Sequence, residues 1–225
     1  LHHQVDSAAI EADRQVVITQ LNNWRKKFGD AKPKMVFLCT SGGGKRASLW
    51  TLNALQTIDS MSHGNLMESS VLITGASGGL IGASYFRELK LREKSGEPIK
   101  PFANIEPIKP FANIHRQKIS SDNLNPLIFS LLANDLFVGF TKFEYAGKAY
   151  QRDRAFTFED QLNHITEGLM DRPITAYLQP ELDGIVPMVI LTPTVVNDGR
   201  KIYIASRPVS FMPNCFACPI ILTKK

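Results

Sequence analysis

The chain has 225 residues, a length that fits one domain or one domain with an appendage and is ample for a single large core. Its 44% hydrophobic and 21% charged residues exclude the disordered, collagen-like and disulfide-scaffold classes. Lys and Arg outnumber Asp and Glu by 26 to 21, a net charge of +5 carried by scattered residues, so nucleic acid is not expected as a partner.

The chain opens on Leu1 rather than Met and shows no signal peptide, so a processed or truncated N-terminus is expected and the compartment is not legible; His2 and His3 read as tail or tag residues. Val17, Leu21, Trp24 and Phe28, spaced four, three and four, fall on one helical face with Gly29 as the stop signal. Residues 1–34 are thus expected to hold a packing helix. Residues 35–40 form a continuous apolar run, expected as a strand buried on both faces of a parallel sheet, with Cys39 a buried thiol. Leu49, Leu52, Leu55 and Ile58 predict a helix over 47–59 that closes near His63-Gly64. A second strand is expected over 71–74, and a helix over 80–94 carrying Ile81, Tyr85, Phe86 and Leu89. Strand, glycine turn, helix, given twice, is the pattern of a parallel α/β sheet, in which ligands sit at the C-terminal ends of the strands. Both glycine clusters lie at such ends.

Residues 97–105 and 106–114 both read Glu-Pro-Ile-Lys-Pro-Phe-Ala-Asn-Ile, a nine-residue tandem copy. It is either an insertion in a surface loop or an error of sequence assembly. Helices are expected within 127–140 and 158–170. Ser130, Asn134 and Asp135 make the first too short and too polar to span a bilayer, so core packing is expected there, with an acyl pocket or membrane contact as the alternatives. Residues 185–196 and 201–206, joined by Asn197-Asp198-Gly199-Arg200, read as a β-hairpin, with Pro187 and Pro193 marking an edge or a bulge. In the tail over 213–225, Cys215 and Cys218 have metal or redox spacing but lack the further ligands zinc requires, so no metal and no cofactor are expected. Trp24, Trp50 and the phenylalanines are expected in the core.

The second glycine turn, Gly75-Ala76-Ser77-Gly78-Gly79, fits G-x-S-x-G between a predicted strand and a predicted helix, the context a nucleophile elbow requires. Small neighbours let strand and helix approach, and Ser77 would project over the sheet where helix N–H groups favour an oxyanion. The first turn, Ser41-Gly42-Gly43-Gly44-Lys45-Arg46-Ala47, fails as a Walker loop, since Cys39 stands where glycine is needed and Arg46 where Ser or Thr is needed. As a dinucleotide fingerprint it passes at Gly42, Gly44 and Ala47, but the acidic residue expected at the end of the next strand is missing. As an oxyanion hole its amides would converge on the charge formed when a serine attacks a carbonyl, and this reading alone explains both turns.

The two motifs together, Gly42-Gly43-Gly44-Lys45-Arg46 and Gly75-Ala76-Ser77-Gly78-Gly79, resemble the signatures of the bacterial-type patatin-like phospholipases, and Asp153-Arg154-Ala155-Phe156-Thr157-Phe158-Glu159 is similar to a segment of that family. The resemblance runs over 35–206 and implies a three-layer α/β/α fold with a mainly parallel sheet, here expected over 35–212. It implies a serine lipid acyl hydrolase with Ser77 as nucleophile, an oxyanion hole from Gly42, Gly43, Gly44 and Lys45, and binding roles for Arg46 and Gly78. The implied substrate is a lipid or small carboxylic ester, with peripheral membrane contact and no cofactor.

The family's catalytic aspartate lies in Asp-Gly-Ala or Asp-Gly-Gly, and this sequence has neither. Asp198-Gly199-Arg200 is the nearest match and Asp183-Gly184-Ile185 a poorer one; hairpin-turn chemistry is sufficient reason for Asp198. The domain is therefore expected to be incomplete at its C-terminal end. A Ser-Asp-His triad would need His115 or His164, the first beside the tandem copy and the second in a predicted helix, where the triad requires a loop. The alternatives are a catalytically incomplete module that binds lipid or a partner, and a nucleotide-binding domain built on the first glycine turn.

Overall fold

Apolar runs bounded by glycine and apolar stripes at helical spacing produce the elements of the first two thirds of the sheet unit. A computed structural model describes residues 7–97, 110–121, 124–129, 132, 142–145, 147–194, 197, 199 and 201–212. Helix α1 (Ser7–Lys26) is followed by strand β1 (Val36–Thr40), helix α2 (Gly44–Met61), the short helix α3 (Asn65–Ser69), strand β2 (Ser70–Gly75) and helix α4 (Ser77–Ser95). After α5 (Pro110–Ser120) and α6 (Leu124–Phe129) come β3 (Lys142–Tyr145), β4 (Lys148–Gln151), α7 (Arg154–Ile165), a 3-10 turn (Ile174–Tyr177), α8 (Leu178–Leu182) and β5 (Met188–Leu191). The fold is mixed α/β, with a three-stranded parallel sheet in the order β1-β2-β5.

Two compact units make up the chain, one from Leu1–Asn104 and Pro173–Thr223, the other from Ile105–Arg172 with Lys224–Lys225. In the first, α2 and α4 pack on each other and α4 packs on β1 and β2. Trp24 of α1 is buried and donates from Nε1 to Glu68 O just before β2, at 2.8 Å. The Trp24 backbone also lies against Gly184, where an added Cβ would come within 2.9 Å, just before β5. Helix α1 therefore closes the N-terminal end of the strands. In the second unit, β3 and β4 form an antiparallel ribbon, and Phe143 stacks on Tyr150 and packs against Phe156 with ring centroids 5.7 and 4.5 Å apart. Asp153 caps α7 by accepting from Phe156 N at 3.0 Å.

Several expectations are corrected. Strand β1 is not buried on both faces: Phe37 is 56% exposed and Cys39 is exposed. Register places Phe37 beside Leu72 and Cys39 beside Thr74, and on that sheet face residues 203–212 pack over Leu72, Met188 and Ile190, leaving Phe37 and Cys39 exposed. Trp50 is 75% exposed, because α2 buries Ser48, Leu52, Leu55 and Asp59, and a residue two positions from Ser48 and Leu52 points the other way. Ile128, Phe129 and Leu132 are exposed rather than core. Residues 110–114 of the second nonamer open α5, with Pro110 at its start, rather than lying in a loop. The segment expected as the first arm of a hairpin is not simply that: β5 pairs in parallel with β2, and among the described residues its antiparallel contacts with the second arm are the bridges Leu191 to Ile204 and Thr194 to Lys201.

Two stability predictions follow from the packing. At Gly82 of α4 an added Cβ would sit 2.3 Å from the Ser48 backbone oxygen. Helix propensity favours Ala there by about 1 kcal/mol, whereas overpacking costs about 1–3 kcal/mol or more. Gly82→Ala should therefore lower the unfolding free energy in urea; an unchanged or higher midpoint would contradict this contact. In the second unit, burial, with Lys118 adding to it, pushes the His115 imidazole down from its ordinary 6.5 to about 4. The unfolded state then binds the proton first as pH falls, so stability is lost between pH 6.5 and about 4, by up to about 3 kcal/mol. His115→Gln should flatten that part of the stability-against-pH curve.

Candidate active site

The two glycine turns, 42 to 44 and 75 to 79, meet at the C-terminal ends of β1 and β2. Thr40 pairs with Gly75 at the ends of the strands, and Ala76 N donates to Thr40 O at 3.2 Å, so the chains leave β1 and β2 side by side. Ser77 opens α4 with φ 49, a left-handed conformation that an L side chain rarely adopts, while Ala76 before it is extended. This is the strained strand-to-helix turn that an elbow needs, and it leaves Ser77 exposed while Gly78 and Gly79 are buried.

Absent side chains bring the turns together. An added Cβ at Gly42 would lie 3.4 Å from Ser77 Cβ, so the first loop runs past the serine. At Gly75 a Cβ would fall 2.2 Å from Thr40 Oγ1, at Gly78 1.8 Å from Gly44 O, and at Gly79 2.2 Å from Ser41 O. None of these three positions has room for a side chain. Gly78, expected from the sequence to have a binding role, has no room for a Cβ because the Gly44 carbonyl faces it. Ser48 of α2, buried, donates from Oγ to Gly78 O at 2.7 Å and ties the helices together behind the turns.

The first loop ends as the N-terminus of α2. Gly43 (φ 140) is the cap and Gly44 (φ 59) the first helical residue; Gly42, Gly43, Gly44 and Arg46 are exposed and Lys45 is half-buried. First-turn amides have no carbonyl four residues back and carry the positive end of the helix dipole. With Gly42 beside Ser77 and Gly44 against Gly78, the N-termini of α2 and α4 lie next to one another, with two basic side chains, Lys45 and Arg46, on the first. The chemistry available there is stabilisation of negative charge on an oxygen next to a hydroxyl nucleophile.

Of the candidate bases, Asp183 shares the unit of Ser77 and is not brought to it. Asp183 caps α8 and accepts from Gln179 Nε2 at 2.8 Å; it precedes β5, at the end of the sheet opposite Ser77. Asp198 lies outside the described residues, as do Cys215 and Cys218. The chain does leave β5 at the Ser77 end, since Leu191 pairs with Gly75. His115 is buried in α5 and His164 is exposed on α7, each on a helix. Strand β2 ends in Thr74 and Gly75, neither acidic; Glu68 precedes that strand and is bonded to Lys27 and Lys94. The described residues hold no cluster of three or more His, Cys, Asp or Glu suited to a metal, and no helix long and apolar enough to cross a membrane. No family model, curated protein or solved structure matches the chain.

Sequence reasoning missed Ser48, which directly follows the first glycine motif and reads there as an ordinary polar position of the helix. The signal was its position, one helical turn after Gly44, on the face that meets the small residues Gly78 and Gly82. The strain at Ser77 yields a prediction: a non-glycine residue in the left-handed region costs about 1 kcal/mol, so Ser77→Gly should not lower stability, although glycine costs a helix interior about that much. Ser77→Val should lower it by at least about 1 kcal/mol, since branching at Cβ worsens the clash. Urea midpoints of the two variants test this, and equal losses in both would contradict a strained turn.

Proposed function

We propose that this chain is a serine acyl hydrolase of the patatin-like kind, acting on a lipid or small carboxylic ester. The observation that carries the reading is the left-handed Ser77 at the tip of β2, beside the glycine loop that opens α2. In the scheme Ser77 Oγ attacks the ester carbonyl carbon and passes its proton to a base. The carbonyl oxygen takes the negative charge, held by amides of Gly42, Gly43, Gly44 and Lys45 and by the amide following the serine. Collapse expels the alcohol and leaves an acyl-serine, which water then hydrolyses. Arg46 and Lys45 favour an anionic group on the substrate, and the scheme uses no metal or cofactor. A three-layer arrangement with a mainly parallel sheet belongs to this proposal.

A second reading has its own observation: Asp183, one of the two aspartate candidates, stands before β5 at the end of the sheet opposite Ser77. On that reading the chain is a patatin-like shell that binds lipid or a partner without turnover. The nucleotide-binding reading is disfavoured by the missing acid at the end of β2.

A fluorophosphonate probe separates the first two. The folded native chain should be labelled and Ser77→Ala should not. Loss of a general base costs about 100- to 10,000-fold, so slow labelling still counts as the hydrolase. No labelling, together with ester turnover equal in native protein and Ser77→Ala, would favour the binding shell. Gly42→Ala should keep the fold, since a Cβ there meets nothing nearer than Ser77 Cβ at 3.4 Å. It should cut p-nitrophenyl butyrate turnover at least about tenfold by standing in the approach to Ser77, as expected where a misplaced reacting group is costly.

A further inference from the structure

We infer that Ser48 is a positioning residue of this site, acting through its hydroxyl on the amide that follows the nucleophile; the inference rests on the acyl-hydrolase reading above. In an elbow of this type the residue after the serine supplies one oxyanion donor. Here that residue is Gly78, which has no side chain to restrict its backbone torsions. Its orientation is set from outside, by two contacts from α2. The Gly44 carbonyl lies where a Gly78 Cβ would be, at 1.8 Å, and Ser48 Oγ donates to Gly78 O at 2.7 Å.

The first contact leaves no space for Gly78 to move toward α2. The second is attractive: it holds the Gly78–Gly79 peptide, and through the two backbone torsions of Gly78 it restrains the preceding Ser77–Gly78 peptide, which carries the donor N–H. Ser48 is itself held: it is buried, and its backbone oxygen abuts Gly82, where an added Cβ would be only 2.3 Å away. Gly78 and Gly82, one helical turn apart on α4, thus form a shallow seat for the Ser48 residue. Because Ser48 stands one turn beyond Gly44 on the same helix, its bond couples the donor from the elbow to the donors of the first loop. The hydroxyl touches neither nucleophile nor substrate.

Helix α4 does not need this bond to form. The Gly78 carbonyl is in its first turn, where it already has the intrahelical acceptor role. Ser48→Ala should therefore fold, with the register of the two sets of oxyanion donors loosened. Misplacement of such groups by a fraction of an ångström to 1 Å is reflected in turnover, by up to about 100-fold.

The experiment uses the full chain with p-nitrophenyl butyrate and a fluorophosphonate probe. Ser48→Ala should lower kcat by about 10- to 100-fold with KM unchanged, and slow probe labelling by a similar factor. Leu52→Val, a core substitution on the same face of α2, serves as the control for packing loss and should leave kcat at the native value. Native kcat in Ser48→Ala, or equal losses of kcat in Ser48→Ala and Leu52→Val, would overturn the positioning role while leaving the hydrolase reading intact. A native chain that is not labelled at all would overturn the hydrolase reading and this inference with it.

Discussion

Backbone against backbone, with no side chain between, is the contact on which the candidate site depends. Gly75, Gly78, Gly79 and Gly82 face Thr40, Gly44, Ser41 and Ser48 at separations where any Cβ would overlap a backbone or side-chain oxygen. Repulsion between hard atoms rises steeply over tenths of an ångström, whereas side-chain packing retains rotamer slack. A site that must hold a nucleophile and amide donors in fixed relation gains from the stiffer contact. The same closeness makes a left-handed Ser77 tolerable, since the surrounding turns leave the chain no relaxed alternative.

The opposite end of the sheet is built differently. There Glu181, fully buried, accepts from Arg87 Nη1 at 2.7 Å and from Ser206 Oγ at 2.5 Å, while Arg87 lies 3.9 Å from the centroid of the Tyr177 ring. Arg87 also donates to Pro187 O at 3.1 Å, so α4, α8 and the start of β5 share one ionic centre. Removing one partner of such a pair costs about 3–5 kcal/mol, because the other charge is left buried. Arg207, also buried, donates to Gln20 of α1 and so adds the first helix to this end. Polar side chains thus fix the strands where no chemistry is expected, and bare backbone fixes them where it is. Gly42, Gly43 and Gly44, beside Ser77, stay exposed, with the ionic anchors at the other end of the sheet.

The sheet, the strand-turn-helix context of both glycine motifs and the helices that follow them were legible from local pattern. Each is a short-range property: an apolar run, a glycine cluster, a stripe at helical spacing. Burial was less legible. The apolar run at 35–40 reads as a fully buried strand, yet Phe37 and Cys39 face a side that residues 203–212 cover only over Leu72, Met188 and Ile190. Trp50 reads as core by its size, and lies off the stripe that α2 turns toward α4. The β3–β4 ribbon was not foreseen, although Gly147 between two alternating segments was a signal for it. The weaker aspartate candidate, Asp183, matched a fragment of a motif, and only topology puts it at the wrong end of the sheet.

By itself the sequence determined that two glycine turns follow two parallel strands and that a serine sits in the second, because turn residues and apolar periodicity act over a few residues of chain. Only the tertiary structure decided that the turns touch, that Ser77 is held at positive φ, and that Ser48 reaches Gly78 across 30 residues of sequence. Those facts follow from how closely two helices can pack when glycine replaces a side chain, a distance that no single segment encodes.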